Sequence, residues 1–137
     1  NQGKEVHELT QLLYHHSGLL GVSAISNDMH TLLESEAPEA AEAIALFVYQ
    51  FQRELGSLVA ALGGLEALVF TAGIGEHATA VRAQICAQAA WLGIELDTVA
   101  NQQHQRQIST ANSAVSVWVI PTDEEKMIAQ HTAQLMH

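Results

Sequence analysis

At 137 residues the chain has the length of one domain or of a piece of a larger protein, and is too short for two domains with a substrate cleft between them. Its composition, 48% apolar and 15% charged, can fill a core and excludes a disordered segment. A formal net charge of −10 with only five Lys or Arg argues against a nucleic-acid or anionic-membrane partner, so any phosphate ligand must be met by backbone N–H groups or by a divalent cation on acidic side chains.

Asn1-Gln2-Gly3-Lys4 lacks a signal-peptide pattern, and no run of about 18 uncharged apolar residues follows it. Tandem His15-His16 has no second ligand pair at metal spacing and reads as solvated loop histidines, with no metal assigned to them. The segment from Ser17 to Asp28 is small, glycine-containing and hydroxyl-rich, the composition of a loop. Asp28 at its end could accept from a ribose hydroxyl, or act as a helix N-cap or turn residue.

Pro38, with Glu39 and Glu42 after it, opens a helix predicted over 38–62, whose apolar stripe is Ile44, Val48, Phe51, Leu55, Leu58 and Leu62. Gly63-Gly64 caps it, and Ala67-Leu68-Val69-Phe70 has the pattern of a short strand buried on both faces. A second helix is predicted from 76 to 92, with Val81, Ile85 and Ala89 or Leu92 inward and Gly93 closing it. Cys86, in its alanine-rich stretch, reads as a small buried thiol and, being the single cysteine, points to a reducing cytoplasm. Residues 115 to 120, β-branched and aromatic, form the clearest strand, and Ile128, His131 and Leu135 suggest a final helix. The alternation of helix and strand predicts an α/β fold with helices on a sheet, its two strands too few to be the whole of that sheet.

Chemistry gathers at the two strand ends. Phe70-Thr71-Ala72-Gly73-Ile74-Gly75-Glu76-His77 joins a buried strand to a helix, where ligands of open α/β sheets bind and glycines admit a close backbone approach. The plainer alternative is a tight turn that needs glycine dihedrals. Gly73-x-Gly75-x-x-Ala78 with Glu95 also meets a loose dinucleotide fingerprint, but only Ile94 separates Gly93 from Glu95, leaving no room for the second strand. Ile120-Pro121-Thr122-Asp123-Glu124-Glu125 crowds acids at the other strand end: Thr122-x-x-Glu125 reads as a capping box, while Asp123 and Glu124 stand where a Mg²⁺–nucleotide complex needs carboxylates.

Taken together, Ser17-Gly18-Leu19-Leu20-Gly21-Val22-Ser23, Phe70-Thr71-Ala72-Gly73-Ile74-Gly75-Glu76 and Ile120-Pro121-Thr122-Asp123-Glu124-Glu125, with Gly63-Gly64-Leu65 before the first strand, resemble the C-terminal part of the acetate and propionate kinase family over residues 4 to 135. The resemblance implies an actin-like, ribonuclease-H-like ATPase domain, of which residues 1–137 would be a single nucleotide-binding C-terminal subdomain from a larger two-domain kinase. It implies reversible phosphoryl transfer between ATP and acetate, giving acetyl phosphate and ADP, with Mg²⁺ as the accompanying ion and propionate as the alternative acceptor. Asp28, Met29 and His30 would lie by the adenosine, Gly73, Ile74, Gly75, Glu76 and His77 would line the nucleotide pocket, and Glu124 would help hold Mg²⁺.

Against the family's usual pattern, His30 replaces arginine, His77 and Asp123 replace asparagine, and Ala24 replaces glycine. The family's acyl-phosphate contacts, transition-state arginines and catalytic acid and histidine belong to its preceding half, so no catalytic residue is assigned here and the isolated chain is expected to be inactive. A homodimer paired partly through the long helix, with extra apolar residues Leu46 and Tyr49, is implied as well. The remaining alternatives are a non-catalytic nucleotide-binding or dimerisation module and a dinucleotide-binding oxidoreductase domain.

Overall fold

A computed structural model describes residues 5–135. The chain opens with α1 (Val6–His15), α2 (Gly18–Ser23) and α3 (Met29–Glu34), then the long α4 (Pro38–Leu62). Strand β1 (Ala67–Phe70) leads to α5 (Ala72–His77), α6 (Thr79–Gln88), a 3-10 turn (Ala90–Leu92) and α7 (Thr98–Gln102). Strand β2 (Ser116–Val119) and α8 (Glu124–Leu135) finish the order. No helix among the described residues is long and apolar enough to cross a membrane.

The expected α4 is found with the expected bounds. Pro38 stands in its first turn, where a missing N–H is harmless, and Gly63 ends it at φ 76, a left-handed conformation that glycine adopts without a Cβ clash. Its buried face is Ala40, Ala43, Ile44, Val48, Leu55 and Val59. Leu58 and Leu62 of the predicted stripe are exposed, because the inward residue in the last turns is Val59, and its neighbour Leu58 lies about 100° around the helix.

The strands pair in parallel with Ala67 opposite Ser116 and Phe70 opposite Val119, so their carboxyl ends emerge at the same edge. Leu68, Phe70, Val117 and Val119 are buried, and Phe70 stacks on Phe51 of α4 with ring centroids 6.2 Å apart. β1 is not buried on both faces as its apolar run suggests. Val69 is exposed, because the packed helices cover one face and none of the described residues buries the other.

The single helix expected from 76 to 92 is divided. Ala78 at φ −90, ψ 80 separates α5 from α6, and the chain tightens to the 3-10 turn before Gly93. The predicted inward stripe holds, since Val81, Ile85 and Ala89 are buried. A Cβ on Gly93 would come within 2.7 Å of the Ala114 Cβ, so this corner requires glycine. Glu95 precedes Leu96, which bridges Ser109 in antiparallel sense, and Glu95 accepts from the Thr110 hydroxyl at 3.1 Å; it caps no parallel strand.

The loop expected between Ser17 and Asp28 contains α2, which ends at Ala24 with φ 54. Ser23 is buried and its Oγ accepts from the N–H groups of Ile25 (3.1 Å) and Ser26 (3.3 Å), closing the turn that follows. Asp28 then caps α3, its Oδ2 accepting from Thr31 N at 3.0 Å and from Thr31 Oγ1 at 2.8 Å. These bonds hold the Asp28 carboxyl below its ordinary value of 3.8, the Thr31 hydroxyl contributing most.

Candidate functional site

The residues singled out before and after α4 meet at one place. Asp28, Met29, His30 and Leu33 of the α3 region face Gly73, Ile74, His77 and Ala78 of the α5 region across a cavity of ≈ 350 Å³. Met29 is buried and anchors the α3 side, whereas His30 lies outward and pairs with Glu34 at 3.5 Å. Gly75 and Glu76 do not line this cavity. Gly75 faces the opposite side, towards Phe70, and Glu76 lines a neighbouring cleft of ≈ 620 Å³ with His77, His104, Arg106 and Pro121.

The two glycines of the loop therefore have different reasons to be glycine. Around Gly73 an added Cβ would meet nothing within 4 Å, leaving its backbone open to a ligand. At Gly75 a Cβ would stand 3.3 Å from the Phe70 carbonyl carbon, so the helix lies on the strand it has just left. Ala72, the first residue of α5, adopts φ 58, a left-handed conformation that is strained for alanine and sits directly at the strand-to-helix corner.

Glu76 joins the two strand-end motifs. One oxygen of its carboxylate accepts from Thr122 N at 2.9 Å and from Thr122 Oγ1 at 3.1 Å. The Thr122 backbone N–H does most to lower the Glu76 pKa from its ordinary 4.5. The Thr122 hydroxyl thus gives its proton to Glu76, and the capping box expected with Glu125 involves a side chain outside the described residues. Helix α8 begins at Glu124, and Met127 N donates to Asp123 O at 3.2 Å, which makes Asp123 the N-cap and Thr122 the residue before it. The side chains of Glu124 and Glu125 lie outside the described residues.

Sequence reasoning missed the buried arginine behind this loop. Arg82 of α6 is 0% exposed, and its Nη1 donates to Gly75 O and Glu76 O, both at 2.8 Å. Its Nε donates to Asn101 Oδ1 at 2.8 Å and its Nη2 to Asn101 O at 3.1 Å. Asn101, buried on α7, returns a bond from Nδ2 to Thr79 O at 3.0 Å. An arginine beside Val81 and Ile85 gives no sequence signal of burial, since a long charged side chain at that spacing ordinarily lies at the surface.

The sequence model of the acetokinase family matches residues 1–130. Over 130 residues the chain is 61% identical to an acetate kinase of Rhodopseudomonas palustris strain TIE-1, covering 93% of this chain and 33% of that protein. Among solved structures, acetate kinase from Entamoeba histolytica superposes with a TM-score of 0.88 at 34% identity, over 97% of this chain and 37% of that one. A propionate kinase from Francisella tularensis superposes with a TM-score of 0.85 at 37% identity, over 95% and 34%. The chain spans about a third of the length of the curated relatives it matches.

Proposed function

This chain belongs to the acetokinase family, and we propose that it is the nucleotide-binding, C-terminal portion of a cytoplasmic acetate kinase. In the whole protein, phosphoryl would pass reversibly between ATP and acetate, giving acetyl phosphate and ADP. The observation that supports this reading best is the cavity shared by Asp28, Met29 and His30 with Gly73, Ile74 and His77, because two segments separated by the whole of α4 converge on one concave surface beyond a strand's carboxyl end.

In that cavity Met29 and Ile74 offer apolar contact to a purine, and Asp28 offers carboxylate oxygen to a ribose hydroxyl while it caps α3. The open backbone at Gly73 admits the nucleotide closely, and Glu76 keeps the loop registered against the segment after β2. Glu124, the first residue of α8, lies just past Thr122 at the carboxyl end of β2 and has the hard oxygen chemistry that suits Mg²⁺. Among the described residues no three His, Cys, Asp or Glu side chains converge on a metal position; Mg²⁺ bound with a nucleotide ordinarily keeps several waters and phosphate oxygens beside one or two carboxylates. When bound, the ion neutralises charge on the phosphate oxygens.

Positioning from the nucleotide side alone does not complete phosphoryl transfer, and turnover is assigned to the whole protein rather than to the 137-residue chain. Two copies would pair, partly through the exposed apolar residues Leu46, Tyr49, Leu58 and Leu62 of α4. The full-length protein should form acyl phosphate from ATP and acetate, trapped as the hydroxamate, and should bind ATP and ADP in preference to NAD. Absence of acyl phosphate together with tight NAD binding would overturn the assignment. The propionate kinase likeness keeps propionate as the second acceptor, decided by comparing kcat/KM for the two acids.

A further inference from the structure

We infer that Arg82 is a positioning residue for the nucleotide loop, clamping the end of α5 to α7 so that the loop keeps one conformation and holds Gly73, Ile74 and His77 against Asp28, Met29 and His30; the inference rests on reading that cavity as the nucleotide site. Helix α5, six residues long, is under two turns and cannot satisfy its own last carbonyls. Ala78 N takes Ile74 O at 3.0 Å, and the next two, Gly75 O and Glu76 O, are taken by Arg82 Nη1 instead of by further backbone. Because the chain turns into α6 at Ala78, the arginine that caps α5 is fixed on the following helix.

The clamp is held from behind. Asn101 accepts from Nε and Nη2 of Arg82 and donates to Thr79 O, so α7, the start of α6 and the end of α5 share one buried polar network. His104 Nδ1 sits 3.1 Å from Glu76 O and 3.5 Å from Arg82 Nη2, adding a contact at the outer side. Burial pulls the guanidinium below its ordinary pKa, yet arginine keeps its charge in proteins, and carbonyl and amide oxygens meet that charge here. The nearby Cys86 thiol is pushed up to about 11 by burial and stays neutral. The planar fork matters because a single Nη1 reaches two successive carbonyls while Nε and Nη2 reach a third segment; a lysine ammonium has one centre and cannot span them.

The test uses the full-length protein with Arg82→Met, Arg82→Lys and Asn101→Ala, measured by steady-state kinetics and thermal melts. The KM for ATP should rise on the order of 10- to 100-fold in Arg82→Met and less in Arg82→Lys and Asn101→Ala. The kcat at saturating ATP and the KM for the carboxylate should stay within about twofold. Equal rises in both KM values, or an unchanged KM for ATP in a folded variant, would overturn the positioning role. If Arg82→Met does not fold, Arg82→Lys and Asn101→Ala give the same readout. If the unsubstituted protein does not use ATP, the site reading fails rather than the clamp, and the clamp is then judged by amide exchange: residues 73–77 should exchange faster in Arg82→Lys, and unchanged exchange would sink it.

Discussion

The Glu76 carboxylate accepts from both the backbone N–H and the hydroxyl of Thr122, at 2.9 and 3.1 Å, so the loop after β1 is tied to the loop after β2 across 46 residues of sequence. The tie is ionisation-dependent. The Glu76 pKa is lowered from 4.5, so the unfolded chain binds the proton first as pH falls. Its contribution to stability is therefore complete above the ordinary glutamate range and is lost as pH falls below about 4.5 through the depressed native value. In melts between pH 7 and pH 3, Glu76→Gln should be less stable than the unsubstituted protein at neutral pH, and the gap should close at the acid end. A gap independent of pH would show that the charge of Glu76 has no part in the tie.

The loop glycines give a second prediction, in which Gly73 and Gly75 part company. Gly73→Ala adds a methyl group into open space, so the full-length variant should melt within about 0.5 kcal/mol of the parent while its KM for ATP rises severalfold. Gly75→Ala presses on Phe70 and should lose on the order of 1–3 kcal/mol of stability by overpacking. A Gly75 substitution therefore mixes nucleotide effects with folding effects. If Gly73→Ala is kinetically silent and folded, the loop is a tight turn and nothing more.

Long, locally specified elements were legible in the sequence. α4 carries a proline at its start, glycine at its end and a stripe between, and β1 is bounded by Gly64 and the Gly73 turn, so local signals and burial agree. α2 and α7 were not legible, being one or two turns long and held by caps and tertiary packing rather than by periodicity. Asp28 was readable as a cap or a ligand contact, and the cap at least is present. The meeting of residues 28–30 with Gly73, Ile74 and His77 came only through the resemblance to known kinases, since no spacing rule brings together segments on either side of a 25-residue helix. Arg82 and the Thr122 tie stayed hidden for one reason: both depend on which distant carbonyl or carboxylate the fold delivers.

Ala24 offers a stability prediction that touches no ligand. It ends α2 at φ 54, ψ 14, where its family resemblance expects glycine and where an L side chain is strained. Ala24→Gly should relieve that strain, offset in part by the greater freedom of glycine in the unfolded chain, for a net gain of about 0.5–1 kcal/mol. Nucleotide KM should not change. A lower melting temperature would mean that the Ala24 methyl group contributes packing that outweighs the strain.

The acids at the start of α8 give the last prediction, and the observed helix start changes what each should do. With Asp123 as N-cap, Glu124 is the first helical residue and Glu125 the second, so the third position, where a capping-box acid belongs, is Lys126. Glu125→Ala should therefore lose only the helix-dipole contribution, about 0.3–1 kcal/mol, with unaltered Mg²⁺ dependence. Glu124→Ala would lose a similar dipole contribution, and if Glu124 holds Mg²⁺ or its waters, the full-length variant should also show kcat lowered on the order of tenfold or more and a higher Mg²⁺ requirement. The two variants form a matched pair: equal in charge removed and nearly equal in helix position, they differ only in the proposed metal role. Mg²⁺ titrations of both, read beside their melts, decide it. Parallel behaviour, with both merely melting slightly earlier, would remove Glu124 from the metal site and leave both acids with the helix dipole alone.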